Sequence, residues 1–236
     1  MLTIEKYLVP DEEQWLMAIE GARNPMNSWD RIDSHIGIVN EADYELGYEP
    51  IYDFFLGDKD RKLMMSLNKG GTEHSKYRRM IPVWVTINAP LYWWKEMDTY
   101  TVGKVQNSCS TMHKIHSKAF TEDDFSCEHL LTKAETYNGY VATSVLQCVV
   151  DALNEYRDLF LETKNKKYWW QMIQLLPTSY NQKRTVFLNY EVLAKMYRER
   201  KNHKLDEWHT FCDWIESLPY SELITGKFEE EPVTNV

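Results

Sequence analysis

Hydrophobic and polar residues recur along the chain with two periods, and the period decides the element. Residues 80 to 88 set Ile81, Val83, Val85 and Ile87 against Pro82, Trp84, Thr86 and Asn88, a period of two that predicts a strand with two distinct faces. Pro82 cannot donate to a ladder, so this is an edge strand or Pro82 is its first residue. Pro90 then sits where a first helical turn tolerates a missing N–H, and Leu91, Trp94 and Met97 supply one face of a short helix. Trp15, Leu16, Ile19 and Ala22 repeat at helical spacing behind Asp11, Glu12 and Glu13, acids that suit the positive end of a helix over 11–22. Three later helices follow from the same spacing: Val145, Val149, Ala152, Leu153, Tyr156 and Phe160; then Val186, Tyr190, Leu193, Ala194 and Tyr197; then Leu205, Trp208, Phe211, Cys212 and Ile215, stopped by Leu218-Pro219. Asp58 is expected to cap a short helix ending before Gly70-Gly71. Residues 24–58, with Pro25, Gly37, Gly47, Pro50 and Gly57, keep no period and are expected to be loop broken by short pieces.

With no internal repeat and no flexible linker, these elements predict one α/β (α+β) domain over 1–236: a small, largely antiparallel sheet packed with several long helices. Residues 228–236 are expected to be a frayed acidic tail. An apolar content of 43% with 14% aromatic residues is ample for a packed core. No run approaches the roughly 18 to 20 apolar residues of a membrane span, and the opening MLTIEKYLVPDEEQW lacks the basic and apolar regions of a signal peptide, so a cytoplasmic protein is expected. A net charge of -9 argues against a nucleic-acid coat, which needs excess Lys and Arg along a face. Cys109, Cys127, Cys148 and Cys212 stand far apart, which suggests reduced thiols, mostly in the core, and no zinc set.

The most informative stretch is Glu73 to Lys114, EHSKYRRMIPVWVTINAPLYWWKEMDTYTVGKVQNSCSTMHK. Its order, a strand ending in Ala89-Pro90, a short aromatic helix and then a polar run, resembles the flavin-dependent thymidylate synthases. In that family the corresponding signature has the form R-H-R-x-x-S-x-N-E-x-S-x-R-Y. Asn107 and Ser110 match the signature asparagine and second serine. Ser108 stands for the glutamate, Met112 for the arginine and His113 for the tyrosine, and the R-H-R triplet falls within Thr99 to Val102, where it is lost. Near the C-terminus Asn189, Leu193 and Arg200 are similar in spacing to the family's N-L-R-x-L-x-H-F-x-x-x-R helix, with Glu191 and Lys195 at its basic and histidine positions. Ala18 to Arg23 resembles the family's opening helix.

The resemblance implies reductive methylation of deoxyuridylate by a homotetramer, with FAD as cofactor and methylenetetrahydrofolate and NADPH as co-substrates. It places Ser110 in a catalytic role, Asn107, Ser108, Ser110 and Arg200 on a pyrimidine deoxynucleotide, and His74, Lys104 and Gln106 on the cofactor. Read as chemistry alone, a nucleotide site needs a fixed guanidinium for phosphate and amides or hydroxyls for the base edge. Arg200 and the run Gln106 to Thr111 offer those types. The same run also reads as an ordinary polar turn, with Ser or Asn capping a helix over 111–117. His113 and His116 are three apart with no third ligand at metal spacing, and Cys109 has no basic neighbour to activate it. Tyr92-Trp93-Trp94 and Tyr168-Trp169-Trp170 could stack on a base, or simply fill core. The lost triplet leaves open a relative that modifies pyrimidine nucleotides by other chemistry. It also leaves open a catalytically silent nucleotide- or protein-binding relative, for example one encoded by a phage.

Overall fold

The computed structural model describes residues 1–133 and 139–227; the tail expected at 228–236 lies outside them. Its centre is β4 (Pro82–Pro90), whose alternation is realised as read. Val83, Val85, Ile87 and Ala89 are buried in the core, whereas Trp84 is turned to the other face. Pro82 is the strand's first residue, and the strand is interior: the sheet order is β1 (Thr3–Leu8), β4, β6 (Asn181–Asn189), β5 (Val105–Ser108). Every pairing in it is antiparallel. A second, two-stranded antiparallel sheet joins β2 (His35–Ile38) to β3 (Tyr52–Phe55) around the short α2 (Glu41–Glu45), so the stretch expected as loop holds a hairpin.

The helical reading of Val186 onward is corrected by β6. Val186 and Leu188 are fully buried and pair opposite Val85 and Val83, and the helix starts only at Tyr190 as α7 (Tyr190–Arg200). Only the last part of β6 is apolar, and where such a strand runs directly into a helix the two periods superpose, so that helical spacing reads backward across the junction. Asn189 ends the strand and caps the helix, its side-chain oxygen accepting from the Val192 N–H at 3.0 Å.

The opening helix α1 (Glu12–Arg23) forms where expected, with a capping box between Asp11 and Gln14. Asp58 is the first residue of α3 (Asp58–Lys69) rather than its cap; the capping oxygens come from Asp33, which accepts from the Lys59 and Asp60 N–H groups at 2.9 and 3.0 Å. The chain continues through α4 (Leu91–Met97), α5 (Ala142–Thr163) and α6 (Lys166–Leu175). After α7 come α8 (Asp206–Glu216) and α9 (Glu222–Thr225). Residues 111–117 form turns, not the expected helix.

One apolar cluster joins the inner side chains of the sheet to Trp15, Ile19, Trp93, Trp94, Leu193 and Phe211. A second gathers Ile115, Phe120, Phe125, Leu146, Leu153 and Met172 around α5 and α6. Trp93 and Trp94 are therefore core. The cysteines are not mostly core: Cys212 is buried, Cys127 half-buried, and Cys109 and Cys148 exposed. Among the described residues no helix is long and apolar enough to cross a membrane.

Candidate functional site

A cavity of about 340 Å³ opens where three segments meet: the connection Thr99–Gly103 after α4, the turn Lys76–Met80 before β4, and the first turns of α7. Thr72, Thr99, Thr101, Asn189, Val192 and Ala194 contribute to its wall, with the Thr99 hydroxyl donating to the Glu96 carbonyl at 2.7 Å. Gly103 makes the close approach possible. Its φ of +75° suits glycine, and a Cβ there would meet Val192 Cγ2 at 2.8 Å and the Asn189 amide nitrogen at 3.3 Å.

The charge around this cavity is unbalanced. Arg78, Arg79, Lys195 and Arg198 line it against a single carboxylate, Glu191. Glu191 is consumed by the buried Arg78, at 2.5 Å, and also accepts from Ser75 Oγ at 3.3 Å. Arg78 donates further to the Leu223 carbonyl and Ser75 Oγ, yet its Nε is buried without a partner, an unmet donor on the cavity wall. Arg79, Lys195 and Arg198 make no ion pair with any described carboxylate. Glu73 is held below the usual carboxylate range first by its hydrogen bond from Lys76, and Arg79 acts on it only as a weaker, more distant charge. The N-terminal turn of α7, whose N–H groups carry the positive end of the helix dipole, borders the same space. In a chain of net charge -9, three uncompensated cations around one cavity favour an anion.

The residues singled out from sequence are not brought together here. Arg200, at the end of α7, donates through Nη1 to Glu96 Oε2 at 2.8 Å and through Nε to Tyr100 Oη at 2.9 Å, and its guanidinium lies 4.8 Å from the Trp208 ring centroid. Glu96 also accepts from Trp208 Nε1 and lies 3.2 Å from His203 Nε2. Lys104 Nζ donates to the Met97 carbonyl and to Gln106 Oε1, and Gln106 donates to Asp98 Oδ1 at 2.6 Å, an oxygen shared with Arg184. Asn107 and Ser108 lie on β5, an exposed edge strand instead of a loop, beside an open groove over the sheet. Ser110 Oγ accepts from the His113 N–H at 2.8 Å and the Met112 N–H at 3.3 Å, the turn-capping role. His74 is exposed, two residues beyond Thr72. Among the described residues no group of three or more His, Cys, Asp or Glu side chains could hold a metal.

Comparison with known proteins turns on shape. No protein-family model matches the chain, and no curated protein matches it. Among solved structures, thymidylate synthase X from Helicobacter pylori, solved with FAD and dUMP, superposes with a TM-score of 0.60 at 16% identity, covering 95% of this chain and 97% of that one. A UMP/dUMP methylase, PolB from Streptomyces cacaoi bound with 5-Br dUMP, gives 0.60 at 14% identity, covering 96% and 94%. The fold is that of the flavin-dependent thymidylate synthases. On this thymidylate synthase-like fold the substituted motif positions acquire a location. Thr99 to Val102, which the sequence resemblance sets at the R-H-R triplet, and Glu191 and Lys195, which it sets at the basic and histidine positions, all line the cavity. Its positive charge comes instead from Arg79, Lys195 and Arg198. Neither Arg79 nor Arg198 falls on a motif position of the sequence. The available signal was the i, i+3 spacing of Lys195 and Arg198, which puts both on one side of α7.

Proposed function

We propose that this protein binds a pyrimidine deoxynucleotide monophosphate in the cavity between Thr99–Gly103 and α7 and serves the modification of its base. The observation that carries this reading is the convergence of Arg79, Lys195 and Arg198, unneutralised among the described residues, on one cavity. Guanidinium and ammonium groups beside a helix N-terminus are the donor set a phosphate monoester needs. Thr99, Thr101 and Asn189 offer the hydroxyl and amide groups that hold a sugar or a base edge. The kind of ligand is supported by the fold, since both neighbours were solved with a uracil deoxynucleotide.

FAD fits this arrangement poorly within one chain. A volume of about 340 Å³ is near the lower end of the roughly 300–1,000 Å³ range of small-molecule sites. Among the described residues the only aromatic ring on the cavity wall, Tyr100, is already packed against Arg200 and Lys195. No step is therefore routed through the flavin. The reading in which this protein methylates deoxyuridylate reductively, with FAD, methylenetetrahydrofolate and NADPH, is favoured by the Helicobacter pylori structure's own FAD. It predicts a yellow protein whose flavin is bleached on reduction by NADPH and then reoxidised on adding deoxyuridylate and methylenetetrahydrofolate.

Thermal-shift and calorimetric titrations with deoxyuridylate, deoxycytidylate, thymidylate and phosphate-free deoxyuridine test the nucleotide reading. A nucleotide monophosphate is expected to stabilise the protein and deoxyuridine to leave it unchanged. The absence of a shift with all three nucleotides would overturn the assignment.

A further inference from the structure

We infer that the arm formed by β2, α2 and β3 is a docking surface for a basic protein segment that carries apolar side chains between its lysines or arginines. None of the arm's residues lines the cavity proposed for the nucleotide, so the two surfaces are separate. The arm is rooted in the core. Phe54 is buried with its ring stacked on Trp15 at 5.5 Å, and Tyr220 donates from Oη to the Phe54 carbonyl at 2.7 Å. Ser34, just before β2, donates from Oγ to the buried Asp60 at 2.7 Å. The far end is held by its own hydrogen bonds. Asn40 accepts from the Ile51 N–H at 2.7 Å and donates to the Glu49 carbonyl at 3.0 Å, and Gly47 takes the left-handed φ of +92° that follows α2. A segment already ordered at both ends loses little further entropy when a partner settles on it.

The surface it offers is rich in apolar side chains. Strand register puts Ile36 opposite the buried Phe54, on the inner face, and His35 opposite Phe55 on the outer one. The His35 and Phe55 rings stack at 5.5 Å, and both residues are exposed. Every residue from 41 to 49 is exposed, Tyr44, Leu46 and Tyr48 among them, and Ile51 and Tyr52 continue the run. Leu46, Tyr48 and Ile51 are 78%, 67% and 58% exposed. Large apolar side chains scattered singly need no explanation, whereas a set of them crowded into one short segment marks an interaction surface, and aromatic residues are the types enriched in interfaces.

Charge selects the occupant. Between Arg31 and Lys59 the chain has no lysine or arginine, and Glu41, Asp43, Glu45, Glu49 and Asp53 alternate with the apolar residues just named. None of these carboxylates makes an ion pair among the described residues. Asp53 accepts only from the N–H of its neighbour Phe54, at 2.7 Å. Uncompensated negative charge repels a nucleic-acid backbone, an anionic lipid surface and a second copy bearing the same acids, and it draws in a cationic partner. Because acid and apolar positions stand within one or two residues of each other, the matching partner sets its cations and its apolar side chains at equally short intervals.

Fluorescence anisotropy of the full chain with a fluorescein-labelled peptide of lysine and leucine, about four helical turns long, tests this at about 0.15 M salt. The wild type is expected to bind it with a Kd of about 10 µM or tighter. A lysine–serine peptide of the same length and charge should bind about tenfold more weakly, and a glutamate–leucine peptide should not bind. Leu46→Ser with Tyr48→Ser, and separately Glu41→Gln with Glu45→Gln, are each expected to weaken the lysine–leucine peptide about tenfold with an unchanged far-UV spectrum. Glu155→Gln with Glu162→Gln removes the same charge from exposed positions of α5 and is expected to leave affinity within about twofold. Should the double serine variant fail to fold, the Glu41 and Glu45 pair decides, because those side chains stand in solvent. No binding by the wild type, equal binding of the lysine–serine or glutamate–leucine peptide, wild-type affinity in a folded arm variant, or an equal loss in the α5 variant would each overturn the inference.

Discussion

Arg198 and Arg200 stand two residues apart on one helix and meet opposite fates. Arg200 occupies the position that family spacing marks, yet Glu96, Tyr100 and Trp208 have already taken up its guanidinium. Arg198 occupies no motif position, faces the cavity and has no described carboxylate partner. The same division runs through the surrounding structure. Glu96 and Asp98, at and just beyond the C-terminal end of α4, are placed against the local helix dipole, and both are held there by cations: Arg200 on Glu96, Arg184 and Lys104 on Asp98. A charge that is satisfied within the fold contributes to stability. A charge left unsatisfied at a concave surface is available to a ligand.

The division is tested most severely by exchanging the two consequences. Lys195→Ala and Arg198→Ala are each expected to weaken deoxyuridylate binding by about 10- to 100-fold, matching roughly 1.5–3 kcal/mol for a charged hydrogen bond. Each should change urea stability by no more than about 0.5 kcal/mol. Calorimetry and urea titration on the same preparations check both halves, and the loss should shrink as salt screens the phosphate. Arg200→Ala is expected to do the reverse. It leaves Glu96, half-buried beside Trp208 and His203, without its cation, and should cost about 1–3 kcal/mol in urea unfolding with nucleotide affinity within about twofold. Tight binding lost in Arg200→Ala but kept in Arg198→Ala would restore the motif reading and discard the cavity.

A smaller effect is expected at Gly103. Its positive φ and the 2.8 Å approach of Val192 to a built Cβ mean that Gly103→Ala strains the backbone and pushes the connection away from α7, at about 1 kcal/mol. Because that connection is also a wall of the cavity, affinity should fall with stability, and comparing the two titrations separates this residue from the cations.

How far the sequence could go is seen in the same residues. The inward run of β4 was legible because four consecutive period-two apolar positions leave no competing reading, and α1, α5 and α8 were legible from helical spacing over three or more turns. The junction at Asn189 was not legible, because β6 opens on the polar run Asn181 to Thr185 and only Val186 to Leu188 is apolar, too little for a period of two to stand out from the helix it feeds. At the proposed site, spacing drew attention to Glu73–Lys114 and to α7. It could not tell which cations are neutralised, because Glu96 and Arg200 are 104 residues apart and their pairing exists only in three dimensions. Arg79 was missed for the same reason: nothing local separates a cation at a cavity from one in solvent.

The last contrast is in pH. Burial acts to raise the Asp98 carboxyl, but the hydrogen bonds from Gln106 and Arg184, with the charges of Arg184 and Lys104, outweigh it and hold the group below the usual aspartate range. A carboxyl with a depressed folded pKa stabilises the fold above its unfolded value, about 3.9, and that stabilisation is lost as pH falls through the lower folded value. Urea stability should therefore lack an Asp98 contribution to any change between neutral pH and about pH 5, then lose it in acid. Asp98→Asn should lower the neutral-pH value slightly and remove that part of the acid loss, so that the two curves converge at low pH. Asp98 is 44% exposed, so screening confines the difference to the order of a few tenths of a kcal/mol. Curves that stay parallel down to low pH would show that the Arg184–Asp98 pair stabilises nothing, and that the cations there are as available as those at the cavity.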